Sequence, residues 1–128
     1  MENQDSGLNA ATISILLVED DPLVLDCTAE LLADGGCDVR RASSVDEALA
    51  VLRDGPLPAV LVTDIGLADG QSGLDLARTV ARDWPEVKLL IVSGIERPAP
   101  ADYPQGALFF TKPYAAGALL AMVKDADW

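Results

Sequence analysis

The chain has 128 residues, half of them hydrophobic, which suits one domain with a real core and excludes a globally disordered chain. Its net charge is −12, with nine Lys and Arg against 21 Asp and Glu, so it lacks the clustered basic surface that nucleic acid or an anionic membrane requires. It contains no histidine, which removes a histidine base, a histidine metal ligand and a phosphohistidine on this chain.

Met1–Ala11 is polar and lacks a basic n-region, so it does not read as a secretory signal. Residues 1–12 are expected to form a disordered tail, residues 13–125 the domain, and residues 126–128 a short second tail. No apolar run reaches the roughly 18 residues of a membrane span, and a cytoplasmic location is the expectation. Cys27 and Cys37 lack C-x-x-C spacing and are expected to be buried free thiols in a reducing cytosol.

Ile13–Val18 is apolar apart from Ser14, the pattern of a strand buried on both faces. Pro22 suits the first turn of a helix whose apolar face is read as Val24, Cys27, Leu31 and Leu32, with Gly35-Gly36 as its stop. Cys37–Ala42 is a second, less apolar strand. Ser44-Val45-Asp46-Glu47 is a capping box, with Ala48, Val51 and Leu52 as the buried face behind it and Gly55-Pro56 as the end. Ala59–Asp64 is a third strand and Gly66–Gly73 a loop. Ser72 caps the next helix, whose buried stripe is read as Leu74, Ala77, Ala81 and Trp84. Val87–Ser93 and Ala107–Lys112 are the last two strands, and Ala115–Lys124 is a final helix, apolar nearly all round and so a candidate for an exposed patch.

This alternation predicts a doubly wound α/β domain, a parallel sheet with helices on both faces. The segment Gly94–Gly106 should hold the fourth helix, yet it carries Pro98, Pro100 and Pro104. A proline costs about 3 kcal/mol inside a helix. That helix is expected to be short or missing.

Four apolar runs end in polar groups: Ile15–Val18 in Glu19-Asp20-Asp21, Ala59–Val62 through Thr63 in Asp64, Leu89–Val92 in Ser93, and Leu108–Phe110 through Thr111 in Lys112-Pro113. Parallel strands in an open sheet carry these ends to one edge, where ligands bind. Clustered carboxylates need a proton or a cation to sit together, and Mg²⁺ takes one or two carboxylates plus waters and phosphate oxygens. Glu19, Asp20 and Asp64 fit that role, and an aspartate can also accept a phosphoryl group as an acyl phosphate. Ser93 and Lys112 supply a hydrogen bond and a positive charge to phosphoryl oxygens. Each residue also has a plainer reading: a charged helix entry for Glu19-Asp20-Asp21, a strand-end cap for Asp64, a turn for Ser93-Gly94. Lys112 has the poorest plain reading, because a lone lysine flanked by Phe109-Phe110 and Pro113 wants an anionic partner, and four such readings in this order are a poorer account than one site.

At this point the chain resembles the receiver domain of two-component response regulators. The resemblance rests on Ile15–Asp21, Val62–Leu67, Ile91–Gly94 and Phe109–Tyr114, and runs from about Ile13 to Lys124. It implies a five-stranded, flavodoxin-like sheet of order 2-1-3-4-5. It also implies Asp64 as phospho-acceptor, with Mg²⁺ held by Glu19, Asp20, Asp64 and the backbone carbonyl of Gly66. Ser93 and Lys112 would contact the phosphoryl group, Ser93 and Phe109 would form the switch, and the Lys112–Pro113 bond would be cis. The implied donor is a bacterial sensor histidine kinase or a histidine phosphotransfer protein, which supplies the histidine missing here. Output would pass to an unidentified protein, with no nucleic-acid or membrane partner, from a receiver with no effector domain attached.

Three features depart from the family pattern. The loop after Asp64 lacks the usual proline and is one residue longer than usual, Phe109 lacks a tyrosine hydroxyl, and Gly94–Gly106 is short by roughly one helical turn. These features motivate an alternative, a constitutive interaction module that keeps the fold without phosphorylation. A third reading, a phosphatase resembling the haloacid dehalogenase group, needs a second Asp where Gly66 stands. Gly66 and Ile95 occupy positions that influence water attack on the acyl phosphate in receivers, and neither side chain can orient a water.

Overall fold

A computed structural model describes residues 12–67, 72–93, 104, 106–111 and 116–124. The strands are β1 (Ser14–Val18), β2 (Asp38–Ala42), β3 (Val60–Asp64), β4 (Lys88–Ser93) and β5 (Leu108–Thr111). The described helices are α1 (Pro22–Asp34), α2 (Val45–Asp54), α3 (Gly73–Asp83) and α4 (Ala116–Lys124). Every strand pair is parallel and the order is β2-β1-β3-β4-β5, as the resemblance implied. The chain leaves β1 towards β2 and returns past it to β3, so the sheet reverses direction between β1 and β3, the place where open α/β sheets bind ligands.

Alternation along the strands divides the core. Leu16, Val18, Leu61 and Ile91 face one layer with Ala48 and Leu52 of α2 and Leu76, Ala77 and Val80 of α3. Ile15, Leu17, Val60, Val62, Leu90 and Val92 face the other, with Leu25, Ala29 and Leu32 of α1 and Leu119 and Val123 of α4. Both faces are covered, which is why the central strands read as continuous apolar runs.

The helix ends follow the local chemistry. Asp21 caps α1 by accepting from the backbone N–H of Leu23 (2.9 Å) and Val24 (3.3 Å), with Pro22 in the first turn. In α2 the Ser44 hydroxyl accepts from Glu47 N–H (3.1 Å), while the Glu47 carboxylate accepts from Ser43 N–H (2.9 Å), one residue before the box predicted for it. Ser72 caps α3 through Leu74 N–H (3.1 Å) and Asp75 N–H (3.4 Å).

Two buried faces differ from the sequence reading. In α1 the buried residues are Leu25, Thr28, Ala29 and Leu32, while Val24 and Leu31 lie at the margin and Cys27 is exposed. In α3 they are Gly73, Leu76, Ala77 and Val80, with Leu74, Ala81 and Trp84 half-buried around them. Both helices carry apolar residues at more than one helical phase, so periodicity permits more than one rotation about the axis. Packing against the sheet chooses between them. The last helix, α4, buries Leu119 and Val123, packs Leu120 against Gly35, and turns Gly117, Ala118 and Ala121 outward, so its described residues form no large apolar patch.

Apart from Pro104 and Gly106, the segment 94–106, where the fourth helix was expected to be short or missing, lies outside the described residues. So do residues 1–11 and 126–128 of the expected tails. No helix among the described residues is long and apolar enough to cross a membrane.

Both cysteines are free, but only Cys37 is buried, which corrects the expectation for Cys27. Burial pushes the Cys37 thiol pKa up, and the nearby Lys124 ammonium offsets part of that rise. Cys37 therefore stays a protonated thiol at neutral pH. A thiol reagent at pH 7.5 is expected to label Cys27 in the folded protein and Cys37 only after denaturation; equal labelling rates would refute this placement.

Candidate functional site

Strand register assembles the site. Val18 pairs with Thr63, so the residues that follow, Glu19 and Asp64, emerge side by side. Both ladders run on past the strand ends: Glu19 N–H donates to Ala42 O (3.0 Å) and Ile65 N–H to Val92 O (3.0 Å). Asp64 pairs with Val92 and Ser93 with Thr111, so Ser93 stands one position beyond the strand partner of Asp64, and Lys112 follows the end of β5.

At the switch point Glu19, Asp20 and Asp64 each bring a carboxylate oxygen to within 4.8 Å of the other two. Glu19 is 6% exposed, Asp64 half-buried and Asp20 exposed. Asp21 belongs to a different structure, because its carboxylate is spent on the α1 cap and its backbone N–H donates to Glu19 Oε2 (3.1 Å). The plain reading of a charged helix entry therefore holds for Asp21, while Glu19 and Asp20 lie beside Asp64.

Two unit charges at 4.8 Å repel by about 3 kcal/mol at an effective dielectric near 20, and by less where water reaches Asp20. That is a large share of a small domain's stability. A hard divalent cation removes the repulsion, and an all-oxygen donor set open to solvent on the Asp20 side fits Mg²⁺, which keeps several of its waters. Zinc sites prefer nitrogen and sulfur, which this cluster lacks.

The loop after Asp64 is tied at its base. Gly73 N–H donates to Ile65 O (2.7 Å), and Gly66 and Ser72 form an isolated antiparallel bridge. Gly66 is exposed, and an added Cβ there would meet nothing within 4 Å. Phe109 of β5 is half-buried against the layer formed with α2 and α3. Ser93 ends β4. Lys112, the Lys112–Pro113 bond and Ile95 lie outside the described residues. Thr63, fully buried with its hydroxyl donating to Asp64 O (3.0 Å), carries no signal in the sequence pattern, and Gly73 stands there only as the end of a loop. The glycine directly after an N-cap serine was the available sign of a close approach.

The response regulator receiver domain model matches residues 15–124. The chain belongs to that family. This receiver domain is 29% identical over 115 residues to the phyllosphere-induced regulator PhyR of Methylorubrum extorquens, covering 88% of this chain and 42% of that protein. It is 34% identical over 117 residues to the nitrogen assimilation regulatory protein NtrX of Azorhizobium caulinodans, covering 88% and 25%. The chain thus spans less than half the length of these two bacterial relatives. Among solved structures, a response regulator receiver domain protein from Clostridium thermocellum superposes with a TM-score of 0.80 at 26% identity, covering 89% of this chain and 93% of that one. NtrX from Brucella abortus superposes equally well, at 0.80 with 30% identity, over 90% of this chain and 26% of that one. Receiver domains are signalling modules of two-component systems and interact with histidine kinases and phosphotransfer proteins.

The crowded carboxylates generate a linkage prediction. Asp20→Asn is expected to raise stability by about 1 kcal/mol in metal-free buffer, by relieving like-charge repulsion, and to lose that advantage in 10 mM MgCl₂. Urea denaturation with and without Mg²⁺ checks it; destabilisation in EDTA would contradict the crowding.

Proposed function

We propose that this receiver accepts a phosphoryl group on Asp64 from the phosphohistidine of a sensor histidine kinase or histidine phosphotransfer protein, with Mg²⁺, in the cytoplasm. The observation that carries the reading is the convergence of Glu19, Asp20 and Asp64 at the switch point of the sheet. An Asp64 carboxylate oxygen attacks phosphorus, a P–O bond forms as the donor's P–N bond breaks, and the departing imidazole takes up a proton. Mg²⁺, when bound, offsets the charge of the carboxylates and the phosphoryl oxygens. Glu19, Asp20, Asp64 and the Gly66 carbonyl are its assigned holders.

Ser93 and Lys112 are assigned to the phosphoryl oxygens. Support comes from the strand register, which carries the ends of β4 and β5 to the edge that bears Asp64. In the acyl phosphate, the Ser93 hydroxyl donates to a phosphoryl oxygen and draws the end of β4 towards Asp64. Phe109, half-buried one strand away, repacks in response, and because it lacks a hydroxyl the change is one of packing alone. The altered surface is read by a protein partner; neither nucleic acid nor membrane is engaged. The chain catalyses at most its own phosphorylation and dephosphorylation.

Acetyl phosphate or a kinase, with Mg²⁺, is expected to add one phosphate by intact mass, and Asp64→Asn to abolish it. Phosphate retained by that variant on another residue would sink the assignment.

Gly66 leaves open space beside the acceptor and offers no group to hold an attacking water. Isolated phosphorylated protein is expected to lose its label slowly, and Gly66→Asn, which fits the space, to shorten the lifetime several-fold. An unchanged lifetime in the variant, or rapid loss from the parent, would count against this.

A further inference from the structure

We infer that Gly73 and Thr63 are positioning residues for Asp64, acting by seating the first turn of α3 directly on the acceptor's own peptide. This inference rests on the proposed role of Asp64.

A Cβ built on Gly73 would overlap the carbonyl oxygen of Asp64, and would stand 2.8 Å from its carbonyl carbon and 2.9 Å from Thr63 Oγ1. Carbon atoms do not tolerate backbone contacts that short, and unlike a flexible side-chain tip, the strand end cannot swing aside. The Asp64 peptide is held from three sides. Its carbonyl accepts from the buried Thr63 hydroxyl (3.0 Å). Its neighbour Ile65 accepts from Gly73 N–H (2.7 Å) and donates to Val92 O (3.0 Å). The helix backbone fills the remaining side.

The consequence falls on the carboxylate cluster. Glu19 and Asp20 follow β1, whereas Asp64 ends β3, so their mutual approach depends on where the end of β3 sits. A side chain at Gly73 forces α3 away from β3 or moves the Asp64 peptide, and either carries the Asp64 carboxylate out of register with Glu19 and Asp20. Loss of the Thr63 hydroxyl removes one tether and leaves the helix seated, so its effect is smaller. The Ser72 cap and the Gly66–Ser72 bridge close the loop at the same point.

The test compares Gly73→Ala with Val80→Ala. Val80 is fully buried on α3, so its truncation loosens the same helix without touching Asp64. Titration with MgCl₂ alone, followed by the Asp64 and Glu19 amide resonances, reads the cluster; acetyl phosphate at saturating Mg²⁺ reads the chemistry. Gly73→Ala is expected to weaken Mg²⁺ binding at least ten-fold and slow phosphorylation at saturating Mg²⁺, while Val80→Ala loses stability and keeps both. Thr63→Val is expected to weaken Mg²⁺ binding about three-fold, with Thr63→Ser restoring it; this pair decides the matter if Gly73→Ala does not fold. Equal Mg²⁺ affinity in Gly73→Ala and the parent, equal losses in Gly73→Ala and Val80→Ala, or equal affinities in Thr63→Val and Thr63→Ser would overturn the inference. A parent protein that binds Mg²⁺ but takes no phosphate would defeat the proposed function instead, and the affinity comparison would still judge the positioning.

Discussion

A slip of one residue between β1 and β3 would turn every side chain of one strand to the opposite face. Ile15 and Leu17 would exchange layers with Leu16 and Val18, and four fully packed apolar groups would lose their partners. Burial of such a side chain contributes about 1.5–3 kcal/mol, so the slipped arrangement lies far above the native one. The same register sets Glu19 beside Asp64. Hydrophobic packing in the middle of the sheet thus holds together charges at its edge that repel each other.

Two helices begin at that edge. α1 starts two residues after Asp20, and α3 starts at Gly73, against the Asp64 peptide. A helix N-terminus carries a partial positive charge and unpaired N–H groups, which favours anions nearby. Asp21 and Ser72 satisfy the first N–H groups of each helix and fix where it starts, so the caps are part of the support of the site. The cluster is therefore a junction of two strand ends and two helix starts, with its geometry set by short-range backbone contacts.

The fold-level likeness to receivers of about 26–30% identity, at a TM-score of 0.80, fits this division of labour. Apolar positions in the strands can exchange among Val, Ile and Leu while volume and alternation are kept.

Four strands are legible in the sequence as apolar runs that each end in a chemically distinctive residue, β2 is legible as a less apolar fifth, and the parallel order is what the family resemblance implied. The sequence by itself also settled the cap at Ser72 and the Pro22 start, which depend on neighbours two or three positions away. Only packing in three dimensions shows which faces of α1 and α3 are buried, that Cys27 is exposed, that Asp21 caps while Glu19 and Asp20 lie beside Asp64, and that Gly73 sits against the Asp64 peptide. The physical reason is distance along the chain. Periodicity and capping are local, whereas helix rotation and the contact of Gly73 with Asp64 depend on how an element seats against a strand it is not adjacent to in sequence.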